Sequence, residues 1–307
     1  MKNSTDTPVE YSHICPICGS TQQAILFEGT DINWETTDER FSVVRCNSCG
    51  IVRTAPQPSI DQLKKYYPDV YYTIEDLSED YYVRRWKRFQ IEKLKIVQQY
   101  HSGGKLLDIG CGRGYFLYEA RSAGYNVAGI EFSAQTAALA KSRWDLQIET
   151  ADVVTYPYPP LRYDIVTLWH VFEHIADPNR LLQGLYNTLT SNGVLVIAVP
   201  NFAGMQARLF RGKWLHLDLP RHLYHYTPES LSGLVQKNGY AIRGISLRSQ
   251  EYDAAGIFGS VWRRSPQSKS MVETLIRKIF GTTAMILSKV ENVLNSGATV
   301  ILTASKK

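Results

Sequence analysis

The sequence predicts an α/β fold, a doubly wound parallel sheet preceded by a small cysteine-rich module. From residue 105 onward, short apolar runs alternate with helical patterns, which is typical of parallel strands with helices on both faces. Two C-x-x-C pairs precede that alternation. The predicted strands are 106–109, 126–130, 146–149, 163–169, 194–199, 241–247 and 297–303. Because such sheets bind ligands at the carboxyl ends of their strands, functional residues are expected there.

A glycine-rich turn follows the first strand of this sheet. Gly110, Gly112 and Gly114 alternate with other residues between Asp108 and a helix that starts at Tyr115. Glycine allows tight turning and close backbone approach to a ligand, and a helix N-terminus offers free N–H groups. A turn without a ligand is the plain alternative. The next strand ends in Glu131, an acidic group placed to accept hydrogen bonds from ribose, so the pair fits a dinucleotide or S-adenosylmethionine.

The segments around these residues resemble class I S-adenosylmethionine-dependent methyltransferases. The similarity lies in LLDIGCGRGYFL, VAGIEFS, TADV and YDIVTLWHVFEHIADP and covers residues 105–240. It implies a Rossmann-like, seven-stranded methyltransferase sheet that binds S-adenosylmethionine, with an antiparallel last strand beside the sixth. The implied contacts are Asp108, Gly110 and Gly112 with the methionine part, Glu131 with the ribose, Phe132 and Asp152 with the adenine, and His170 and Val171 beneath the sulfonium. Cys111, Gly114 and Val153 complete that set.

The first 55 residues are interpreted as a zinc-binding module. Cys15, Cys18, Cys46 and Cys49 form two C-x-x-C pairs, each followed by glycine. Four thiolates suit one tetrahedral zinc ion and leave no open position for water, which predicts a structural metal. Disulfides and a redox C-x-x-C are the alternatives. Strands at 24–27 and 41–45 are expected between the pairs.

Residues 56–104 are predicted to form a tyrosine-rich connection that ends in a basic helix at 83–100. One interpretation is a linker anchored by aromatic packing. The other is a lid, with Tyr72 or Tyr82 facing the cofactor; Tyr72 is included in the predicted cofactor site. Arg84, Arg85 and Arg88 form either a solvated face or contacts to a phosphate-bearing substrate.

The segment 200–226 is predicted to bind the methyl acceptor, because it follows the fifth strand on the cofactor side. It concentrates aromatic and imidazole side chains, which favours a binding site over a spacer. The predicted acceptor contacts are Asn201, Trp214, Arg221 and Tyr224. Histidine is suited to proton removal near neutral pH, and the predicted catalytic residues are His222, His225, Glu173 and His174. Of these, His222 and His225 are the predicted base or acceptor-positioning groups, and Glu173 is expected to orient a histidine. His174 is expected either to act in catalysis or to brace the loop that follows it. Thr227 is expected to cap the helix that follows, with Pro228 at its first position.

An insertion at about 250–296 separates the last two predicted strands. Its amphipathic helix, 271–294, is expected to pack on the sheet or a dimer partner, to cover an apolar acceptor, or to lie on a membrane surface. No stretch of about 18 apolar residues and no signal-peptide pattern is present, so a cytoplasmic location is expected. The net charge of +5 permits an anionic partner without requiring one. The oligomeric state is left open.

The whole layout, including PRHLYHYTPES, resembles bacterial methyltransferases of sugar and natural-product pathways. Two departures, an end at the seventh strand and Arg221 where that subgroup has an acidic residue, favour oxygen over carbon as the acceptor. The expected function is methyl transfer from S-adenosylmethionine to a small or carrier-linked acceptor, a sugar, glycan or natural-product hydroxyl or carbon, with histidine-assisted deprotonation. An RNA methyltransferase and a non-catalytic cofactor-binding module are the alternatives.

Overall fold

The computed structural model describes residues 13–68, 83, 86–261, 291 and 294–307. Its strands form one four-stranded and one seven-stranded sheet. The strands are β1 Gln23–Gly29, β2 Phe41–Cys46, β3 Val52–Ala55, β4 Lys105–Ile109, β5 Asn126–Glu131, β6 Ile148–Thr150, β7 Tyr163–Trp169, β8 Leu189–Pro200, β9 Tyr224–His225, β10 Tyr240–Ser246 and β11 Thr299–Lys306. The α-helices are α1 Ile60–Lys64, α2 Lys87–Gln98, α3 Tyr115–Ser122, α4 Ala134–Trp144, α5 Pro178–Thr188, α6 Met205–Phe210, α7 Pro228–Lys237 and α8 Gln250–Val261.

The seven-stranded sheet has the order β10-β11-β8-β7-β4-β5-β6. Strands β4 to β8 pair in parallel, whereas β11 lies antiparallel between β8 and β10. This confirms the predicted doubly wound sheet and its antiparallel last strand. The chain proceeds from β4 outward to β6 and then returns to β7 on the other side of β4. That reversal opens a crevice at the carboxyl ends of β4 and β7, where ligands bind in sheets of this class.

Alternating residues of the central strands pack against helices on opposite faces. Leu107 and Ile109 belong to the core beneath α5 and α7, whereas Leu106 packs with α2, α3 and α4. On α5, Leu181, Leu182 and Leu185 are fully buried, because they repeat at helical spacing on the face that meets the sheet. Burial on both faces explains why these strands are continuous apolar runs.

The four-stranded sheet joins the N-terminal module to the predicted acceptor segment. Its order is β1-β2-β3-β9, and Val52 of β3 pairs with His225 of β9. The two-residue strand β9 was not predicted, because its partner lies about 170 positions away in the chain. The predicted strands at 24–27 and 41–45 are present as β1 and β2.

Several predicted boundaries shift. The predicted strand 194–199 is longer in the structure, because β8 begins at Leu189 and runs through Asn192 and Gly193. Leu189 pairs with Tyr163 and Val194 pairs with Ile165, so the intervening residues are accommodated as an irregularity of register rather than as a loop. Helix α7 begins as predicted, because Oγ1 of Thr227 accepts the backbone N–H of Ser230, with Pro228 at the first helical position.

Some predictions lie outside the described residues. These are the positions of Tyr72, Tyr82, Arg84, Arg85 and most of the amphipathic helix 271–294. Within the described residues, none of the helices combines the length and apolarity needed to cross a bilayer.

Candidate active site

A cavity of about 400 Å³ opens at the carboxyl ends of β4 to β7. Its walls combine the glycine turn, the residues that follow β5 and β6, the segment after β7 and part of the tyrosine-rich connection. The lining residues are Leu63, Lys64, Tyr67, Gly110, Gly112, Arg113, Glu131, Phe132, Thr136, Asp152, Val153, Val154, His170, Val171, His174, Ile175 and Ala176. Eight of the predicted cofactor contacts are therefore brought together here: Gly110, Gly112, Glu131, Phe132, Asp152, Val153, His170 and Val171.

Gly110 and Gly112 of the turn are required to be glycine for different structural reasons. Gly110 has φ +65°, and a Cβ there would lie 2.5 Å from a methyl carbon of Val171. Val171 can therefore pack this closely only against a residue without a side chain. Gly112 has φ +52° and no neighbouring atom within 4 Å of the Cβ position. Its backbone therefore faces the open cavity, as required of a turn that contacts a ligand.

Glu131 connects the glycine turn to the loop after β5. Its Oε2 accepts the backbone N–H of Gly112 and its Oε1 accepts that of Ser133, both at 2.9 Å. Each carboxylate oxygen has two lone pairs, so both oxygens retain capacity for ribose hydroxyls. The hydrogen bonds hold the carboxylate at the cavity wall in one orientation.

The part of the cavity lined by Phe132 and Asp152 is suited to a flat ring that carries an amino group. Phe132 is 52% exposed although it is a large apolar side chain, and it lines the cavity. Asp152 also lines the cavity, and its Oδ1 accepts the backbone N–H of Val154 at 2.9 Å. An exposed aromatic face beside a fixed carboxylate offers stacking and hydrogen bonding to a base such as adenine.

Three predicted cofactor residues support the turn without lining the cavity. Asp108 is buried and accepts a hydrogen bond from Oγ1 of Thr167 at 2.6 Å, and burial raises its pKa to about 7. Cys111 packs against Gly129 in the core, and Gly114 is the residue before α3. The structure thus assigns Asp108, Cys111 and Gly114 to the architecture of the turn, because their side chains or backbone face inward.

The opposite end of the cavity is closed by imidazole and phenol groups. His170 lines it with φ +56°, a left-handed conformation uncommon for residues other than glycine. His174, at the end of the 3-10 turn Phe172–His174, also lines it. Its Nδ1 lies 3.0 Å from the backbone oxygen of Arg221 and 3.2 Å from the hydroxyl of Tyr67.

His222 and Glu173 lie behind His174 and are largely buried. The rings of His174 and His222 are perpendicular, with centroids 4.6 Å apart. Nδ1 of His222 lies 2.8 Å from the oxygen of His216, and its Nε2 lies 3.9 Å from carboxylate oxygens of both Glu173 and Asp218. The sequence predicts His222, with His225, as a base or acceptor-positioning group, but His222 is not among the residues that line the cavity.

The electrostatics of this group follow from burial. Burial lowers the pKa of both His174 and His222, so both rings are neutral near pH 7. Burial raises the pKa of Glu173 to about 8. Within the described residues neither oxygen of Glu173 has a hydrogen-bond partner. The group therefore holds two neutral imidazoles beside a protonated carboxyl.

Arg221 does not reach the cavity as predicted. Its side chain is fully buried and forms ion pairs with Asp31 and Asp218. Because an unpaired buried guanidinium is costly, these carboxylates determine where the side chain lies. Arg221 is consequently corrected from an acceptor contact to a structural ion pair.

The other predicted acceptor contacts, and His225, also have structural partners. The Nε2 of His225 lies 3.0 Å from Oγ1 of Thr54 in the N-terminal module, and burial lowers its pKa to about 3. The amide of Asn201 donates to the oxygen of Gly297, the indole of Trp214 is buried, and the hydroxyl of Tyr224 donates to the oxygen of Ala176. None of the four lines the cavity, since each is buried against another segment.

Sequence reasoning missed the contribution of the short helix α1. Leu63, Lys64 and Tyr67 line the cavity although the prediction placed Tyr72 or Tyr82 there. The signal was present in the sequence: Ser59 and Gln62 form a capping box that starts α1, and this places the Tyr66-Tyr67 pair directly after it. Tyr66 is buried with its hydroxyl bonded to Glu39, whereas Tyr67 faces His174.

The four cysteines of the two C-x-x-C pairs meet at one point. Their sulfur atoms all lie within 4.8 Å of one another, with Cys15 to Cys49 at 3.8 Å and Cys18 to Cys46 at 3.6 Å. A tetrahedral zinc with Zn–S bonds of about 2.3 Å requires sulfur separations of about 3.8 Å. The four cysteines are free thiols, not disulfides, and their spacing is compatible with a zinc site.

Together, the sheet order, the glycine turn and the cavity define the fold of class I S-adenosylmethionine-dependent methyltransferases. A family model described as a methyltransferase domain matches residues 80–244, more than half of the chain, and the chain therefore belongs to this family.

Individual relatives match shorter parts of the chain. A demethylmenaquinone methyltransferase of Deinococcus radiodurans is 30% identical over 149 residues, 43% of this chain and 61% of that protein. A ubiquinone biosynthesis O-methyltransferase of Rhodopseudomonas palustris is 34% identical over 103 residues, 32% of this chain and 41% of that protein. The match thus spans less than two thirds of either relative.

Among solved structures, an S-adenosylmethionine-dependent methyltransferase of Archaeoglobus fulgidus has a TM-score of 0.50 and 17% identity. The likeness covers 74% of this chain and 100% of that one. At this identity it concerns the fold alone.

Proposed function

We propose that this protein transfers the methyl group of S-adenosylmethionine to a hydroxyl oxygen of a small or carrier-linked acceptor, such as a sugar, a glycan or a natural product. The observation that carries the proposal is that His174 lines the same cavity as the glycine turn and Glu131. A proton acceptor and a cofactor cradle at two ends of one cavity are what such a transfer requires.

The proposed cofactor contacts come from residues that line the cavity around β4 to β6. Glu131 would accept hydrogen bonds from the ribose, Phe132 would stack on the adenine, and Asp152 would accept from its amino group. The backbone of Gly110 and Gly112 would approach the methionine part. Bound there, S-adenosylmethionine supplies an electrophilic methyl group, and the remaining chemistry falls to the protein.

His174 is the proposed base, in place of His222 and His225. Because its Nδ1 faces the oxygen of Arg221 at 3.0 Å, the neutral ring carries its proton on Nδ1 and leaves the Nε2 lone pair unprotonated. Its lowered pKa keeps it in that form at neutral pH. The hydroxyl proton of the acceptor would pass to Nε2 of His174 as the acceptor oxygen takes the methyl group that the cofactor would supply, and the electron pair of the former carbon–sulfur bond would remain on sulfur.

The buried groups behind His174 would support its protonated form. Burial raises the pKa of Asp218, but its contacts with Arg221 and His222 outweigh this, so the net pKa is lowered and the carboxylate stays ionised. Its charge raises the pKa of His174 against the opposing effect of burial. The imidazolium formed during transfer is thereby stabilised without a direct contact to substrate.

An oxygen acceptor is favoured over carbon or nitrogen by two points. The neutral imidazole of His174 at the cavity suits removal of a hydroxyl proton. Among the relatives, the Rhodopseudomonas protein is named an O-methyltransferase. Tyr67, Ile175 and Leu63 beside His174 give this end apolar walls, which fit a small organic acceptor.

The cysteine cluster is proposed to hold structural zinc. Four thiolates at tetrahedral separations would saturate one ion, so the metal would stabilise the N-terminal module without taking part in transfer.

The RNA alternative draws less support from the described residues. On α2, Lys87 approaches Glu119, Lys93 lies over the ring of Trp169 and Arg88 over that of Phe89. These cations therefore have partners within the protein. A non-catalytic function is less well supported, because the glycine turn, Glu131 and the proposed base His174 line one cavity.

The proposal is tested by incubating the purified protein with radiolabelled S-adenosylmethionine and a panel of nucleotide sugars, glycans, phenols and RNA. We expect label in a hydroxyl compound, and loss of that label in His174→Asn but not in His101→Asn, whose imidazole contacts the oxygen of Asn192 away from the cavity. Labelling of RNA with steep salt dependence would support the RNA alternative instead. Unchanged transfer by His174→Asn would overturn the choice of base.

A further inference from the structure

We propose that Asp31 is a positioning residue for His174, acting through the side chain and the backbone carbonyl of Arg221. The inference rests on the proposed function, because it explains how a base at the cavity is held in one tautomer. It also links the N-terminal module to the chemistry, since Asp31 lies between β1 and β2.

The first link is a bidentate ion pair between Asp31 and Arg221. Asp31 is 3% exposed, and its two carboxylate oxygens accept from NH1 and NH2 of the guanidinium, the NH1 contact at 2.9 Å. The loop holding Asp31 is itself braced, because the same carboxylate accepts from the backbone N–H groups of Trp34 and Thr36 and from the Thr36 hydroxyl. A fork-to-carboxylate pair of this kind defines orientation as well as distance.

The guanidinium of Arg221 is saturated with acceptors. Its Nε donates to Asp218 at 3.1 Å, NH1 also donates to the oxygen of Tyr66 at 2.7 Å, and NH2 also reaches Asp218 and the oxygen of Leu219. The side chain is fully buried and has no capacity left for an anionic substrate. The Arg221 side chain therefore serves to position the backbone segment that carries it.

The backbone around Arg221 is held from two sides. The next residue, His222, accepts the hydroxyl of Thr54 at 2.6 Å on its backbone oxygen. Leu223 donates its backbone N–H to the oxygen of Glu173 at 2.9 Å, directly beside His174. The segment is thus clamped between the N-terminal module and the 3-10 turn.

The last link is the hydrogen bond that His174 donates to Arg221. Nδ1 of His174 lies 3.0 Å from the Arg221 oxygen, and the hydroxyl of Tyr67 approaches the same atom. A carbonyl accepts hydrogen bonds and never donates them, so it selects the tautomer with the proton on Nδ1. If the carbonyl moves away, the ring is free to carry its proton on Nε2, the nitrogen that must be unprotonated for the proposed base to act.

The test is ¹⁵N NMR of protein labelled in histidine, which reports the protonation of each ring nitrogen independently of activity. In the wild type we expect His174 to show an unprotonated Nε2 and a protonated Nδ1. In Asp31→Asn, which removes the charge opposite Arg221, we expect mixed tautomers and a fall in kcat of about tenfold or more, with unchanged affinity for S-adenosylmethionine. Asp31→Glu should recover most of the activity.

Thr36→Val is the matched control, because it removes a hydrogen bond to Asp31 and leaves the ion pair with Arg221 intact. It should lower stability without changing the His174 signals. A wild-type spectrum with the proton on Nε2 overturns the proposal even if Asp31→Asn does not fold. So does an Asp31→Asn protein with wild-type signals and wild-type kcat. Absence of methyl transfer by the wild type, with the expected tautomer present, contradicts the proposed function and leaves the positioning role supported.

Discussion

Nδ1 of His174 lies 3.0 Å from the backbone oxygen of Arg221, 47 positions further along the chain. This contact joins the turn after strand β7 to the segment that follows β8, at the part of the cavity wall that His174 lines. The carbonyl selects the tautomer with the proton on Nδ1, which leaves Nε2 unprotonated. The catalytic account depends on this geometry.

Replacement of His174 by asparagine should lower kcat with little effect on cofactor affinity. General-base catalysis contributes about 10²- to 10⁴-fold, so a loss within that range is expected, because asparagine cannot take up a proton. Calorimetric titration with S-adenosylmethionine should give a wild-type dissociation constant, since the cradle at Glu131 and Gly112 is untouched. A parallel loss of cofactor affinity would indicate a structural role instead.

The rate should remain high at mildly acidic pH. Burial lowers the pKa of His174, and the partly opposing charge of Asp218 does not restore it. The groups around it are the phenol of Tyr67, the ring of His222, the carboxyls of Glu173 and Asp218, and the guanidinium of Arg221, whose charge also lowers the pKa. Because the base works in its neutral form, activity should fall only below the usual histidine value of about 6.5. A pH profile of kcat with a midpoint above 7 would contradict this.

Glu173→Gln should stabilise the protein more at pH 8 than at pH 5. Burial raises the pKa of Glu173 from 4.5 to about 8 in the folded state. Between these values the unfolded chain loses the proton while the folded protein keeps it, so stability is lost as pH rises, by about 1.4 kcal/mol per pH unit for this group. Glutamine removes that titration.

The measurement is urea unfolding of both proteins at pH 5 and pH 8. The difference in unfolding free energy between variant and wild type should grow with pH. A constant difference across this range would show that Glu173 is ionised in the folded protein.

Metal analysis should find about one zinc per chain, lost when Cys46 and Cys49 are both replaced by serine. The melting temperature should fall as well, because β2 ends at Cys46 and the module pairs with β9 through β3. Cys111→Ala is the control, since Cys111 lies in the glycine turn outside the cluster. Full zinc content in the double serine variant would place the metal elsewhere.

The sequence predicts the residues that line the cavity around the glycine turn better than those of the segment 200–226, for a physical reason. Gly110, Gly112 and Glu131 lie at strand ends, where a local pattern determines both conformation and position. Arg221 and His225 occur in a segment equally rich in polar groups, yet their side chains bind Asp31 and Thr54, about 170 to 190 positions away. Such pairings depend on tertiary packing, and the density of histidine and aromatic residues alone could not distinguish a buried interface from a binding surface.

His174 illustrates the same difference. The sequence places it after β7 and includes it with Glu173 among the predicted catalytic residues, but favours His222 and His225 as the base. Only the folded structure shows that His222 lies behind His174, because the order of residues along the chain does not reveal which ring faces the cavity.

The central claim is that this cavity binds S-adenosylmethionine through Glu131 and the glycine turn. Isothermal titration calorimetry of the wild type and of Glu131→Gln tests it most directly. The account predicts one site per chain in the wild type and affinity weakened about tenfold or more in the variant, because a charge-assisted hydrogen bond to ribose is lost. Absence of binding by the folded wild type, or equal affinity in both proteins, would contradict it.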